Sequence, residues 1–303
     1  MNTVVKKNFR LYIIAGIFFS ILWGSGSTVT KYTLQHLQPW VLVFCRLFIA
    51  SIVMLITAHV ILKYKFPQRK NWKKVIICGL LNLCIFQGMF TYALKFVPGG
   101  LGTLMTSTIP IFITLFNKLW LKKRIPQNVI LSLIFCFIGV VLAAWNFLQL
   151  DNVIGLGILI LFAGIISNAA GAVYFVGEEW NGMNIITINA WQSLAASLFL
   201  LPFCIYHYDS ALNNFNLTAI VGIGWLAIFI SVTAILLWLF ILKQNPIRAS
   251  FWLFLCPIVG FSIAAYLLQE PITALTVIGV LLVIYGLYLS QRTPKENLME
   301  EEN

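Results

Sequence analysis

Charge is what this chain has least of. Of 303 residues only 10% are Asp, Glu, Lys or Arg, while 60% are hydrophobic and mean hydropathy is +0.93. Soluble domains carry roughly 25% charged residues. The missing polar shell excludes a soluble globule and requires a surface that faces lipid. The chain reads as an integral membrane protein.

Acidic and imidazole groups are scarcer still, and their positions exclude several chemistries. The nine acids (Asp151, Glu178, Glu179, Asp209, Glu270, Glu296, Glu300, Glu301 and Glu302) all lie between apolar runs, at their ends or in the tail. An intramembrane aspartyl enzyme needs two aspartates inside spans, and Asp151 and Asp209 are in loops. His36, His59 and His207 sit near run ends, so no deep base serves a hydroxyl such as Ser25 or Ser27. The same placement leaves no buried carboxylate or histidine relay for protons. The six cysteines (Cys45, Cys78, Cys84, Cys136, Cys204, Cys256) are scattered inside apolar runs. They read as small packing groups rather than metal ligands or disulfides. Neither a metal nor a cofactor is expected, and no filter loop or ring of charge marks a channel. An enzyme is therefore not expected.

What is present is a series of long apolar runs. About 20 apolar residues span the hydrocarbon as a helix, and ten such runs lie near 11–31, 40–62, 75–94, 100–120, 127–147, 153–176, 185–206, 218–242, 249–268 and 272–290. Backbone groups in lipid must be satisfied within the segment, so helices are expected. The first run is long and lacks a small-x-small cleavage pattern, so it reads as a span rather than a leader. The net charge of +11 falls in short blocks between runs, not along one face, which excludes a nucleic-acid partner. Lys6, Lys7 and Arg10, the block Lys63 to Lys74, the block Lys118 to Arg124, Lys243, Arg248, Arg292 and Lys295 fall on one side; Lys31 and Lys95 fall on the other. The positive-inside rule then puts both termini in the cytoplasm.

ALKFVPGGLGTLMTSTIPIF, residues 93–112, concentrates helix breakers inside an apolar region. A shift of 147 residues sets it beside FILKQNPIRASFWLFLCPIV, residues 240–259. That shift places Pro110 on Pro257, Gly99 on Pro246, Gly24 on Gly171 and Gly139 on Gly286. One shared register points to two halves of five spans, 1–150 and 151–291, followed by a charged tail, 292–303. An odd number of crossings makes the second copy enter from the opposite side, giving inverted repeats with a site between them near mid-membrane. Pro98, Gly99, Gly100 and Gly102 form the turn before the fourth span. Pro110 and Pro257 are the expected paired kinks.

The run YALKFVPGGLGTLMTSTIPIF followed by LWLKKR resembles the first-half pattern of EamA-type drug/metabolite transporters. FILKQNPIRASFWLFLCPIVGFSIAAYLLQEPIT is similar to their second half, including the Glu270–Pro271 turn, and WGSGSTVTKY resembles their opening helix. Arg46 matches a frequent second-span arginine; Lys123 departs from the pattern, standing where many relatives have glutamate. The resemblance implies a ten-helix inverted-repeat fold moving small organic solutes, often amino acids or related metabolites, outward across a bacterial inner membrane. A drug or toxic-solute exporter and a nucleotide-sugar-type exchanger are the alternatives within the same class.

Arg46 is the one cation inside a span. Its burial at the bilayer centre costs at least ~2.5–3.5 kcal/mol without compensation. A guanidinium suits a substrate carboxylate, though snorkelling or pairing with helix-end carbonyls is the structural alternative. The other expected site residues are Trp23, Ser27, Asn82, Gln87, Tyr92 and Thr106 in the first half. In the second half they are Asn168, Tyr174, Gln192, Trp238 and Trp252. The fifth and tenth spans, nearly all apolar with spaced glycines, read as support helices through which a homodimer is an option.

Overall fold

The computed structural model describes residues 2–120, 127–148, 153–244 and 246–290. These residues are helical, with no strand among them. In chain order the α-helices are α1 (Asn2–Thr33), α2 (Pro39–Leu55), α3 (Trp72–Cys78), α4 (Phe86–Ala93), α5 (Gly99–Thr106) and α6 (Ile109–Trp120). They continue with α7 (Gln127–Leu148), α8 (Val153–Gly177), α9 (Ile185–Tyr206), α10 (Leu217–Gly224), α11 (Ile235–Gln244), α12 (Pro246–Leu267) and α13 (Ala274–Ser290). Three π-helical stretches extend or join these rods: Ile56–Ile61 after α2, Gly79–Ile85 between α3 and α4, and Trp225–Ala234 between α10 and α11.

Six of the resulting rods are long and apolar enough to cross a bilayer: Leu11–Thr33, Pro39–Ile61, Arg69–Ala93, Ile154–Gly177, Ile185–Tyr206 and Leu217–Trp238. Four shorter apolar helices, Gly99–Ile113, Ile130–Trp145, Leu255–Leu267 and Ala274–Leu289, occupy the remaining expected positions. Large apolar side chains such as Phe18, Leu159, Val176 and Leu217 are more than half exposed. A soluble monomer does not leave such a belt in water; here it faces lipid.

Local chemistry sets the helix ends. Pro39 opens α2, where its missing N–H is harmless. Asn184 and Asn216 cap α9 and α10, their side chains accepting from the N–H groups of Ile186 and Ala219, each at 2.9 Å. The fourth expected span is broken, not kinked. α5 stops at Thr106, Ser107 and Thr108 form a turn, and α6 restarts with Pro110 as its second residue. Proline cannot donate to the carbonyl four residues back. The Ser107 hydroxyl donates to the Thr103 carbonyl at 2.9 Å and that of Thr108 to the Met105 carbonyl at 2.7 Å, each carbonyl also accepting the backbone N–H of the same residue. Pro257, by contrast, is carried inside the continuous helix α12.

The helix seams follow the same register that aligns the sequence. In the α7–α13 seam, the Cys136 thiol points to the Val283 carbonyl at 3.7 Å, and the two residues are 147 apart. Gly139 meets Gly279 on one side of that contact, and Gly286 meets Ser132 on the other. These are the pairings a two-fold relation through Cys136 and Val283 generates. α1 and α12 run parallel: the Ser20 hydroxyl donates to the Trp252 carbonyl (2.8 Å) and that of Thr28 to the Gly260 carbonyl (3.3 Å), both across 232 positions.

Interhelical ties fix two opposite ends. At the basic end, Lys74 pairs with Glu178 at 2.9 Å and Lys70 donates to Asn181 Oδ1 at 2.6 Å. At the far end, the Gln38 N–H donates to Asn213 Oδ1 at 2.9 Å, and Gln38 Oε1 accepts from Asp209 N at 2.9 Å.

Candidate functional site

Between these ends lies a polar cavity of about 280 Å³. Its walls come from both halves: α1, α2, the Gly79–Ile85 segment with α4, and the α5–α6 break on one side; α8, α9, the Trp225–Ala234 segment, α11 and α12 on the other. A smaller recess of about 40 Å³ adjoins it toward the far end, adding Gly26, Ser27 and Phe90. A larger cleft of about 470 Å³ lies beside α7 and α8, but it is lined almost wholly by apolar groups such as Phe137, Val140 and Leu159. Hydrogen-bonding side chains are concentrated instead in the smaller, polar cavity, among them Arg46, Asn82, Gln87, Asn168 and Asn189.

Arg46 is its centre. The side chain is buried, yet no carboxylate lies within ion-pair distance among the described residues. Its Nε donates to Ser231 Oγ at 3.0 Å and its Nη1 to Gln87 Oε1 at 3.2 Å. Two neutral acceptors orient the guanidinium without cancelling its charge. A guanidinium has five donors, and Arg46 lines both the cavity and the recess. Such a group is set to receive an anion.

The π-helical stretches place its partners. Ser231 lies in Trp225–Ala234, and its hydroxyl donates five residues back to the Leu226 carbonyl at 3.0 Å while accepting from Arg46. Asn82 lies in Gly79–Ile85, and this segment's carbonyls are met from α8: Ser167 Oγ donates to Leu81 O at 2.9 Å, Asn168 Nδ2 to Asn82 O at 3.3 Å. Local widening of a helix at such turns is frequent at functional sites. Gly171 allows this approach, because a Cβ there would fall 2.4 Å from Asn82 Oδ1.

One wall is aromatic. Phe19 stacks on Trp23 (5.8 Å between centroids) and on Trp238 (5.1 Å), making a three-ring stack along the cavity. Such faces take apolar or cationic portions of a ligand.

Of the expected site residues, Trp23, Arg46, Asn82, Gln87, Thr106, Asn168 and Trp238 line the cavity, and Ser27 lines the recess. Four others lie elsewhere. Tyr92 stacks on Trp40 at 5.7 Å near the far end. Tyr174 bonds to Glu178 at the basic end. Gln192 is buried one step behind the wall, its Nε2 donating to the Asn189 side chain and its Oε1 without a partner among the described residues. Trp252 packs edge-on to Tyr12 at 6.2 Å and against Gly16, in the α1–α12 seam. Of the expected kink pair, Pro110 sits in the first turn after the break and Pro257 inside α12; Lys123 lies outside the described residues.

Phe19, Asn189, Ser193 and Ser231 also line the cavity and were not singled out from sequence. Asn189 had a signal in its spacing: it lies three residues before Gln192, one helical turn away. Ser231 had none, since its direction depends on a π-helical register.

At the basic end, Glu178 is held below the ordinary carboxyl value, first by the hydrogen bond from Lys74 and then by that from Tyr174.

Comparison with known proteins gives this architecture a context. The model of the EamA-like transporter family matches twice, at residues 10–145 and 155–291. An uncharacterized transporter of Archaeoglobus fulgidus is 27% identical, over 89% of this chain and 95% of its own length. The uncharacterized transporter YyaM of Bacillus subtilis is 27% identical over 97% of this chain and 99% of its own. The uncharacterized inner membrane transporter YedA of Escherichia coli is 24% identical, covering 94% and 95%. A crystal structure superposes with a TM-score of 0.64 over 97% of this chain and 99% of its own, at 15% identity, a likeness of fold. A multi-pass helical chain that matches one transporter model in both halves belongs to the EamA-like transporter family, within the drug/metabolite transporter superfamily.

Proposed function

We propose that this transporter carries amino acids or closely related carboxylate metabolites outward across a bacterial inner membrane by alternating access. Its frame is ten spans in two inverted halves, 1–150 and 151–291, with both termini and the 292–303 tail in the cytoplasm. The α7–α13 pairing about Cys136 and Val283 supports the inverted frame, and the basic end supports the orientation.

One observation carries the substrate reading: Arg46 is buried in a cavity shared by both halves, oriented by Ser231 and Gln87, with no carboxylate of the described chain beside it. Leaving that charge unanswered is costly, and a solute carboxylate answers it. Asn82, Asn168 and Asn189 offer donors and acceptors for an amino group and backbone-like atoms. The Phe19–Trp23–Trp238 stack accommodates an apolar side chain. Among the described residues the cavity lining holds no acid, so the substrate gradient or exchange drives movement rather than a proton passed through a buried carboxylate.

The aromatic stack also favours a second reading, export of broad, flat or cationic toxic solutes. A thermal-shift screen of purified protein against amino acids, nucleosides, nucleotide sugars and quaternary amines separates these. Stabilisation by amino acids is expected. Stabilisation by quaternary amines alone selects the second reading, and by nucleotide sugars alone overturns both.

A further inference from the structure

At the far end a carboxylate from the second half caps a helix of the first. α12 ends at Leu267, and Gln269, at φ 54, turns the chain through the left-handed region so that Glu270 faces back. Both oxygens of its carboxylate then cap α5: the Gly99 N–H donates to Oε1 at 2.7 Å and the Gly100 N–H to Oε2 at 3.1 Å. Those N–H groups have no partner within their own helix, and the helix dipole favours a negative charge there. Lys31, under the electrostatic influence of Glu270, donates to the Val97 carbonyl at 2.6 Å. One carboxylate thus ties the α12–α13 loop of the second half to the fourth span of the first, next to α1.

The register of 147 gives the equivalent positions at the basic end. Glu270 corresponds to Lys123, Gly99 to Pro246, and Lys31 to Glu178. A lysine cannot accept from backbone N–H groups, and proline has none to give. The residue types at those sequence positions therefore do not supply the mirror-image cap, and among the described residues Glu178 is engaged by Lys74 at 2.9 Å.

We infer that Glu270 is the gating residue of the far face: its carboxylate cap on α5 holds that side closed, and transport to the far side requires its release. The inference rests on the alternating-access reading above. With this latch engaged, the resting protein favours exposure toward the basic face.

A reporter cysteine at Gly26 tests this. A Cβ there meets nothing nearer than Ile230 Cγ2 at 3.8 Å, and the position lines the recess just inside the latch. Full-length protein carrying Gly26→Cys is labelled with a membrane-impermeant maleimide in right-side-out and inside-out vesicles, with the parent chain reporting background from its own cysteines. With Glu270 intact, labelling is expected mainly from the basic face. Glu270→Ala and the isosteric Glu270→Gln should each raise labelling from the far face by about tenfold and lower it from the basic face. Glu270→Asp, one methylene shorter, should fall between. Lys123→Glu should not reproduce the effect at the far face. Unchanged far-face labelling in folded Glu270→Gln protein would overturn the latch and leave alternating access standing. Equal labelling from both faces with Glu270 intact would overturn both.

Discussion

Cys136 and Val283 meet across the α7–α13 seam at 3.7 Å, 147 positions apart, the same interval that lays Pro110 over Pro257. On the inverted-repeat reading proposed above, this contact lies on the axis that relates the two copies. The central cavity draws its walls from both family-matched segments, 10–145 and 155–291.

The seam is held by glycines, which sets a stability prediction. A Cβ on Gly279 would lie 2.4 Å from the Gly139 carbonyl oxygen, and one on Gly139 would lie 2.6 Å from the Gly279 carbonyl. Backbone cannot step aside as a side chain can, so Gly279→Val should destabilise by about 1–3 kcal/mol or more. Gly155, with open space around its Cβ position, is the control. Thermal unfolding in detergent should show a lower Tm for Gly279→Val and little change for Gly155→Ala.

Ser231 and Gln87 orient Arg46 without neutralising it. A hydrogen bond to a charged group is worth about 1.5–3 kcal/mol. Ser231→Ala should therefore weaken carboxylate binding by about tenfold or more while leaving binding of the corresponding amine near its original value. Calorimetric titration of the two ligands reads the difference.

Acid should loosen the basic end through Glu178. Its folded value lies below 4.5 because Lys74 and then Tyr174 donate to the ionised form. A depressed carboxyl contributes stability that is fully present above its unfolded value and lost as pH falls through the folded one. The Tm should thus decline below about pH 4.5, and Glu178→Gln should flatten that part of the profile. A Tm–pH curve from 7 to 3 for the two proteins compares them.

Among the described residues the cavity lining has no acid, and the three histidines are tied elsewhere. His59 pairs with Trp191 and Tyr64, His36 contacts Asn216, and His207 meets the Phe203 carbonyl. Uptake into proteoliposomes should be equal with and without an imposed pH gradient. A severalfold dependence on the gradient would require a proton path that this cavity does not supply.

The sequence made the membrane class and the helical runs legible, because lipid demands long apolar segments. Arg46, Asn82, Gln87 and Asn168, polar groups that a span must accommodate for a reason, line one cavity. Other features escaped for physical causes. Proline within a span reads equally as a kink or a break, and only the backbone course through Ser107 and Thr108 tells them apart. Ser231 faces Arg46 through a π-helical turn, and a period of 3.6 does not locate such a turn. Trp252 looked deep enough to clamp a solute, yet the absence of a side chain at Gly16 gives it a berth in the α1–α12 seam. Composition marks a residue as polar or aromatic; which wall it joins is decided by neighbours far along the chain.

Arg46 is the point on which the substrate reading turns, and proteoliposome counterflow with an amino acid and its decarboxylated amine tests it directly. Wild-type protein should exchange the amino acid and discriminate against the amine; Arg46→Lys, lacking the fork geometry, should lose about tenfold or more of that discrimination while remaining folded. Equal discrimination in wild type and Arg46→Lys, or preference for the amine in wild type, would contradict the account.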